Sequence, residues 1–571
     1  MKVISKIQRF FEANVLSNNK EISIGRVYLV IAFFFMCYFI ISARMFNIVV
    51  TDSFAEHHSD NAHTTKSHGS MKRADIVDRN GELLAINLVT TSLYANPKII
   101  SDPVSTAKNL KQIFHALSVQ DILDKLKSDK PFVWIKRNIT PKEEQQVHDL
   151  GIPGLYFEVS EKRAYPHGNL FSHVLGYVGL DGNGLAGVER YFDEKLKYNQ
   201  GEEAPPKLQL SLDLRAQNIM RSELEKTMIE FNARGAIGVL QDANNGEIIA
   251  MVSLPDYDPH NPGKASEEAI FNKASLGNYE LGSAFKAFTM ATALDTNTVK
   301  LNDVYDVDTP LSFTRYQIKD FQGKGGWLSV PEILMHSSNI GISQIALEVG
   351  KHKQFDYLKA LGLLSQVEIE LPEKSTPLYS PLSKWKDLTV VTLSYGYGLS
   401  TSPLNVTRAM SALVNGGKLY PTTLLKRESS DVEYTQVIKE TTSEKMKKLL
   451  RMVVRFGSGR KAEVEGIFPA GKTGTALKAI NGKYAQNLRM SSFMSTFPAH
   501  QPKYVMLITL DEPKGTKASF GFATGGWVSA PTSARIYEKL APILGVFPEI
   551  EHKQQIDDMM FVSYDAKSQN S

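Results

Sequence analysis

Gly471-Lys472-Thr473-Gly474-Thr475 contains the only Lys-Thr-Gly of the chain, and it opens a strand-like run that continues, with turns, to about residue 512. Glycine at 474 leaves the backbone open to close approach, which predicts a substrate laid along the strand with alternate residues facing it. Working outward, Ala236-Ile237-Gly238-Val239-Leu240 and Glu247-Ile248-Ile249-Ala250-Met251-Val252 flank Asn244-Asn245-Gly246, a hairpin signal. Helical patterns dominate 265–415, and a further helix is predicted over 530–543. Strands at both ends of a segment that encloses helices predict an α+β domain with one antiparallel sheet, spanning 207–547. The polar, Pro-rich stretch Asn199-Gln200-Gly201-Glu202-Glu203-Ala204-Pro205-Pro206-Lys207 marks its start. Before it, 60–205 reads as a strand-rich domain. A hairpin is expected over 76–85, turning on Asn80-Gly81 as a two-residue loop, with helices near 102–117 and 119–128. The segment 548–571 is polar with few apolar anchors, a tail expected to lack fixed structure.

The chemistry is read from short motifs. Ser-x-x-Lys puts two side chains on one helix face, where a partly desolvated lysine crowded by other cations can take the serine proton. Within residues 100–571 the pattern occurs at Ser105–Lys108, Ser283–Lys286, Ser383–Lys386 and Ser458–Lys461, so alone it decides nothing. Ser283 follows Glu280-Leu281-Gly282 and opens the apolar run from Phe285 to Leu294, where free N–H groups and the positive end of a helix dipole favour a nucleophile. A serine at a helix start is, by itself, more often a cap. Ser-x-Asn recurs at Ser17, Ser59, Ser337 and Ser568. Chain order separates the candidates: nucleophile pair, then Ser-x-Asn, then Lys-Thr-Gly leaves Ser105 or Ser283 with Ser337 and Lys472. Ser105 lies beyond the Pro-Pro boundary, so Ser283 is selected.

Bulk properties narrow the class. Across 571 residues, 42% apolar and 22% charged residues exclude global disorder and allow two or three domains. A net charge of +4, with no basic stripe interleaved with aromatics, argues against a nucleic-acid partner. The single cysteine, Cys37, leaves the rest of the chain without disulfides or Cys-based metal sites, and the histidines form no metal-ligand pattern. Cys37 lies in Val27–Ala43, an uncharged run bracketed by Arg26 and Arg44. At about 1.5 Å per residue this run reaches roughly 26 Å, and its flanks extend it across a ~30 Å hydrocarbon core. A cleaved signal peptide would have a shorter core ending in a small-x-small site, whereas Ser42-Ala43-Arg44 runs on into Met45-Phe46-Asn47-Ile48-Val49-Val50. Residues 27–46 are therefore expected to be an uncleaved anchor. Lys2, Lys6, Arg9, Lys20 and Arg26 against Glu12 and Glu21 keep residues 1–26 cytoplasmic and place the remainder across the inner membrane.

With Ser283-Ala284-Phe285-Lys286, Ser337-Ser338-Asn339 and Lys472-Thr473-Gly474 in this order, the chain resembles the serine penicillin-recognising enzymes. Arg73-Ala74-Asp75-Ile76-Val77-Asp78-Arg79-Asn80-Gly81, Arg163-Ala164-Tyr165-Pro166, the run from His173 to Gly179 and Gly184-Leu185-Ala186-Gly187-Val188-Glu189 are similar to the non-catalytic pedestal of class B penicillin-binding proteins. Residues 246–255 and Asp511-Glu512-Pro513-Lys514-Gly515 extend the likeness, and the passage from Lys472 to Pro513 most resembles the division-specific, FtsI-type branch. Two positions depart from the family pattern: Leu281 stands where Pro is usual and Ala284 where Thr is, which alters the entry turn.

The resemblance implies an inner-membrane, single-pass peptidoglycan D,D-transpeptidase with a periplasmic catalytic domain, acting in septal synthesis. Ser283 would attack the penultimate D-Ala of a stem pentapeptide, Lys286 would take its proton, and Ser337 would relay it to the leaving amine. Asn339 would hold the substrate amide and orient Lys286. Lys472 would keep the field positive, Thr473 and Thr475 would bind the substrate carboxylate beside Gly474, and the N–H groups of Ser283 and Thr475 would form the oxyanion hole. The bond broken supplies the driving force, so no cofactor or metal is implied. Implied partners are stem peptides, β-lactams as covalent inhibitors, a membrane glycosyltransferase and other division proteins. The alternatives are a D,D-carboxypeptidase or a β-lactamase, against which the pedestal resemblance speaks, and a catalytically idle scaffold of the division apparatus, which intact Ser283, Lys286 and Lys472 disfavour.

Overall fold

The computed structural model describes residues 30–44 and 72–562, apart from 199–202, 204, 314–315, 322–324, 429–431 and 481. Two compact units divide the chain between Gly69 and Ser70. The first is described as helix α1 over 30–44, with large apolar side chains such as Phe35 and Phe39 exposed. No helix among the described residues is long and apolar enough to cross a membrane. The expected cytoplasmic segment 1–26 and both ends of the expected anchor lie outside the described residues.

The second unit begins with a strand-rich layer. Strands β1 (Ile76–Val77) and β2 (Leu83–Ala95) are followed by helices α2 (Pro103–Ile113) and α3 (Val119–Leu126), then strands β3 (Val133–Ile139) and β4 (Leu155–Ala164). Both helices start where the sequence supplies a cap: the Asp102 carboxylate accepts from the Val104 and Ser105 N–H groups, and the Ser118 hydroxyl accepts from Asp121. With β5 (Leu208–Gln209) the sheet order is β3–β2–β1–β5, and β4 also pairs along β2. The β1–β2 hairpin forms, but not on a two-residue turn. Asp78 organises a five-residue connection, its Oδ1 accepting from the Asn80 and Glu82 N–H groups at 2.7 and 3.0 Å, with Gly81 at φ +91°. The Asp78 carboxylate outcompetes the tighter turn by satisfying two backbone donors at once.

The larger layer follows. Helix α4 (Leu214–Glu230), capped by the Asp213 side chain, precedes the hairpin of β6 (Gly235–Asp242) and β7 (Ile248–Leu254). Helices α5 (Lys286–Asp295), α6 (Val330–His336), α7 (Asn339–Val349), α8 (Pro403–Val414) and α9 (Glu440–Arg455) come next. Strands β8 (Ala470–Ile480), β9 (Lys483–Phe497) and β10 (Tyr504–Asp511) and helix α10 (Ser529–Ile543) complete it. The sheet is five-stranded and antiparallel in the order β8–β9–β10–β6–β7, so β6, from the start of the domain, pairs with β10, from its end. Alternation along β10 sends Met506, Ile508 and Leu510 toward α4 and α10, and Val505 and Leu507 toward the helices between β7 and β8. This is the α+β architecture expected.

A third apolar cluster joins the layers: Ile76, Leu84, Tyr165 and Val188 pack in one core with Ile237, Val239, Ile248 and Met251. The pedestal motifs converge nearby, where Arg73 and Arg163 each donate through Nε to one carboxylate, Glu189, at 2.9 and 2.7 Å, all three buried.

The expectation of an unstructured tail is corrected over its first half. Helix α11 (Lys553–Met559) buries Ile556 and, just past its end, Met560 in the main core, while Asp557 pairs with Arg451 and Arg455 of α9 at 3.3 Å. Few apolar residues suffice here because they enter a core that already exists, and the buried carboxylate meets two cations. Residues 563–571 lie outside the described residues.

Candidate active site

Every residue of α5 is buried, so this helix is wrapped by protein on all sides. Its first residue is Lys286, and the single 3₁₀ turn Gly282–Phe285 before it carries Ser283, partly exposed. Ser283 holds neither cap position: these belong to Leu281 for the turn and Phe285 for α5, contrary to the helix-cap reading.

The nearness of this turn to β8 explains two glycines. A Cβ at Gly474 would lie 2.3 Å from the Leu281 carbonyl oxygen and 3.1 Å from the Ala284 Cβ. At Gly282, with φ +53°, it would lie 2.3 Å from the Thr475 carbonyl oxygen. The sequence reading assigned the space over Gly474 to substrate; the structure fills it with the turn that carries Ser283. Gly474 allows Leu281 and Ala284, the two positions that depart from the family pattern, to sit directly on the strand.

Ser337 ends α6 in the left-handed conformation (φ 61°, ψ 42°), and Asn339 begins α7. A non-glycine residue there costs about 1 kcal/mol. The turn brings three oxygens onto one amine: Lys286 Nζ is 2.5 Å from the Ser337 carbonyl oxygen, 3.0 Å from Ser337 Oγ and 2.7 Å from Asn339 Oδ1. From β8, Lys472 Nζ donates to the same Ser337 Oγ at 3.0 Å and to the Thr473 carbonyl oxygen at 3.2 Å. Both lysines are 0% exposed.

Burial first, and then the neighbouring Lys472, hold Lys286 well below the ordinary lysine range, with Asp320 acting in the opposite sense. Burial alone pushes Lys472 down to about 7. Of the three oxygens around Lys286, a carbonyl and an amide oxygen can only accept, whereas the Ser337 hydroxyl can also donate. An uncharged Lys286 therefore gives its two N–H groups to Ser337 O and Asn339 Oδ1 and turns its lone pair to the Ser337 hydroxyl, which in turn accepts from Lys472. The chain of hydrogen bonds runs Lys472 to Ser337 to Lys286.

Thr473 and Thr475, two apart on β8, share a strand face. The Thr473 hydroxyl is 2.7 Å from Ser458 Oγ, and Thr475 Oγ1 accepts from the Gly525 N–H at 3.1 Å. The structure thus brings Lys286, Ser337, Asn339 and Lys472 into one hydrogen-bonded group and sets Ser283, Gly474 and Thr475 against it through backbone packing. Asn339 is already engaged at both ends, its Nδ2 donating to the Lys319 carbonyl oxygen at 3.0 Å. Of the other Ser-x-x-Lys serines, Ser105 lies on α2 and Ser383 in a short turn, 382–384.

Sequence reasoning missed two neighbours. Ser458 was set aside as a nucleophile and enters as the partner of Thr473, and the Gly457-Ser458-Gly459 turn was its only signal. Asp320, whose Oδ1 accepts from the Asn339 and Ile340 N–H groups, carries no motif at all.

Residues 236–538 match the penicillin binding protein transpeptidase domain and residues 69–205 the penicillin-binding protein dimerisation domain. The chain is 40% identical over 485 residues to the probable peptidoglycan D,D-transpeptidase FtsI of Caulobacter vibrioides, covering 83% of this chain and 82% of that one. It is 32% identical over 560 residues to the probable peptidoglycan D,D-transpeptidase PenA of Neisseria gonorrhoeae, covering 93% and 94%. To the peptidoglycan D,D-transpeptidase FtsI of Escherichia coli K12 it is 28% identical over 508 residues, covering 84% and 85%. Among solved structures, penicillin binding protein 3 of Mycobacterium tuberculosis complexed with ampicillin superposes with a TM-score of 0.67 at 22% identity, over 84% of this chain and 96% of that one, a likeness of fold.

Proposed function

The chain belongs to the class B penicillin-binding proteins and is a peptidoglycan D,D-transpeptidase, and from that premise we propose that Ser283 is its nucleophile and that it cross-links stem peptides in septal wall synthesis. The observation that carries the site assignment is the convergence of two fully buried lysines on one hydroxyl, Ser337, beside the Ser283 turn.

In the acylation step Ser283 Oγ bonds to the carbonyl carbon of the penultimate D-Ala, and the C–N bond to the terminal D-Ala breaks. Lys286, uncharged, turns its lone pair from the Ser337 hydroxyl to Ser283 and receives its proton. Ser337 gives its own proton to the leaving amine and takes one back from the charged Lys286, which is left neutral again, with Lys472 steadying the hydroxyl. The N–H groups of Ser283 and Thr475 lie on two segments in backbone contact, which supports their pairing as the oxyanion hole, worth about 3 kcal/mol per donor. Asn339 orients Lys286 and keeps a second Nδ2 proton for the substrate amide. The Thr473 and Thr475 hydroxyls receive the carboxylate. An amine of a neighbouring stem peptide then attacks the acyl-enzyme, forming the cross-link and freeing Ser283. β-Lactams enter by the same acylation.

For the remainder of the chain we propose an anchor over 27–46 with 1–26 in the cytoplasm, the pedestal over 60–205 and the catalytic domain over 207–547 in the periplasm. The uncharged run between Arg26 and Arg44 supports the anchor. A membrane glycosyltransferase and other division proteins complete this assignment.

Labelling with a fluorescent penicillin tests the nucleophile: wild type acquires covalent label and Ser283→Ala does not, whereas label on the variant moves the nucleophile elsewhere. Incubation with pentapeptide and an acceptor amine is expected to yield cross-linked dimer; free tetrapeptide alone would make the enzyme a carboxypeptidase.

A further inference from the structure

Asp320 lies in the connection between the strand Tyr316–Ile318 and the strand Trp327–Ser329 that leads into α6, outside all three motifs. Its Oδ1 accepts from the Asn339 N–H at 2.5 Å and from the Ile340 N–H at 3.0 Å. The adjacent Lys319 carbonyl oxygen accepts from Asn339 Nδ2 at 3.0 Å. Two consecutive residues thus hold both the backbone and the side-chain amide of Asn339. At the start of α7 the Ser338 hydroxyl accepts from the Gly341 N–H at 2.9 Å, and Asp320 takes the two donors before it, those of Asn339 and Ile340. What Asp320 adds is a fixed Asn339, and Asn339 Oδ1 is one of the three oxygens around Lys286.

Asp320 also supplies charge. Among the described residues, the charged groups acting on Lys286 are the Lys472 ammonium from β8 and the Asp320 carboxylate, of opposite sign. The other groups around the amine, Ser337 and Asn339, are uncharged.

We propose that Asp320 is a positioning residue of the acylation step, holding Asn339 so that its amide oxygen fixes Lys286 and offsetting the Lys472 ammonium beside that amine. The proposal rests on the assignment of Ser283 as nucleophile and Lys286 as base. Two variants separate the two parts of the role. Asp320→Asn keeps an oxygen able to accept from both N–H groups and removes only the charge. Asp320→Ala removes both.

The acylation rate of the full-length protein in detergent is followed with fluorescent penicillin as a function of pH. Because the carboxylate favours the charged form of Lys286, its removal in Asp320→Asn is expected to move the acid limb of the profile to lower pH by about half a unit or more, with the plateau kept. A limb at the wild-type position overturns the proposal. Asp320→Ala is expected to acylate on the order of tenfold to a hundredfold more slowly at the plateau, with Asp320→Asn restoring most of the rate. An Asp320→Ala rate within about twofold of wild type overturns it as well. If Asp320→Ala does not fold, the Asp320→Asn limb decides alone. Ser283→Ala is run alongside: label on that variant overturns the acylation assignment and this proposal with it. A silent Ser283→Ala beside wild-type-like Asp320 variants overturns the Asp320 role alone.

Discussion

Ser337 shows why single residues in this site carry unusual backbone and unusual charge together. Only from its left-handed turn do its carbonyl and hydroxyl both meet Lys286 while the hydroxyl still reaches Lys472. Burying two lysines there lowers the affinity of each for a proton, and that has a consequence for stability. Lys472 binds a proton at about 7 when folded and at 10.5 when unfolded. Between those values the unfolded chain carries more protons, so wild-type stability rises with pH across that window. Lys472→Met lacks this term. The stability of Lys472→Met relative to wild type is therefore expected to fall as pH rises from about 7 toward 10.5, by at most about 1.4 kcal/mol per pH unit. Thermal unfolding midpoints of both proteins over that range check it, and parallel pH dependences would show that Lys472 is not desolvated.

At the scale of elements, the decisive contact is the turn carrying Ser283, the proposed nucleophile, resting on β8. Leu281 and Ala284 occupy the place a side chain at 474 would need, and the obstructing atom is a backbone carbonyl that cannot swing aside. Gly474→Ala is expected to leave the protein folded, at a cost of about 1–3 kcal/mol, and to reduce acylation on the order of a hundredfold by pushing Ser283 out of line. Fluorescent-penicillin kinetics with a parallel melting curve measure both, and acylation at the wild-type rate would sink the idea. Most elements were legible from periodicity and turn signals, as α2, α3 and the β6–β7 hairpin were. The β1–β2 turn was misread because the Asp78 carboxylate, rather than Asn80-Gly81 alone, sets its length. Helix α11 was hidden because its apolar residues are few and its anchor, Arg451, lies 106 positions away from Asp557.

At the scale of the second compact unit, pedestal and catalytic layers share one apolar cluster, and the buried group of Arg73, Arg163 and Glu189 sits on the pedestal side of it. Removing the carboxylate leaves Arg163 buried without its counter-ion and Arg73 with Asp193 alone. Glu189→Ala is expected to destabilise by about 3–5 kcal/mol. Because the core is continuous, calorimetry should show one transition moving to lower temperature. A pedestal transition that splits off while the catalytic one stays put would mean that the two layers unfold independently.

By itself the sequence determined most kinds of element, their order, the α+β class and, through motif order and the Pro-Pro boundary, the choice of Ser283 among the four Ser-x-x-Lys serines within 100–571. Those properties are local or linear: periodicity reports which face is apolar, and chain order is the sequence. Only the tertiary structure decided what surrounds the amine of Lys286. Ser337 stands 51 positions from it and Lys472 another 135 beyond Ser337, while Asp320 and Ser458 reach the site through neighbours that no spacing predicts. Desolvation and hydrogen-bond distance belong to packed elements, so the choice of Ser283 as candidate was made in one dimension and the protonation of Lys286 was not readable there.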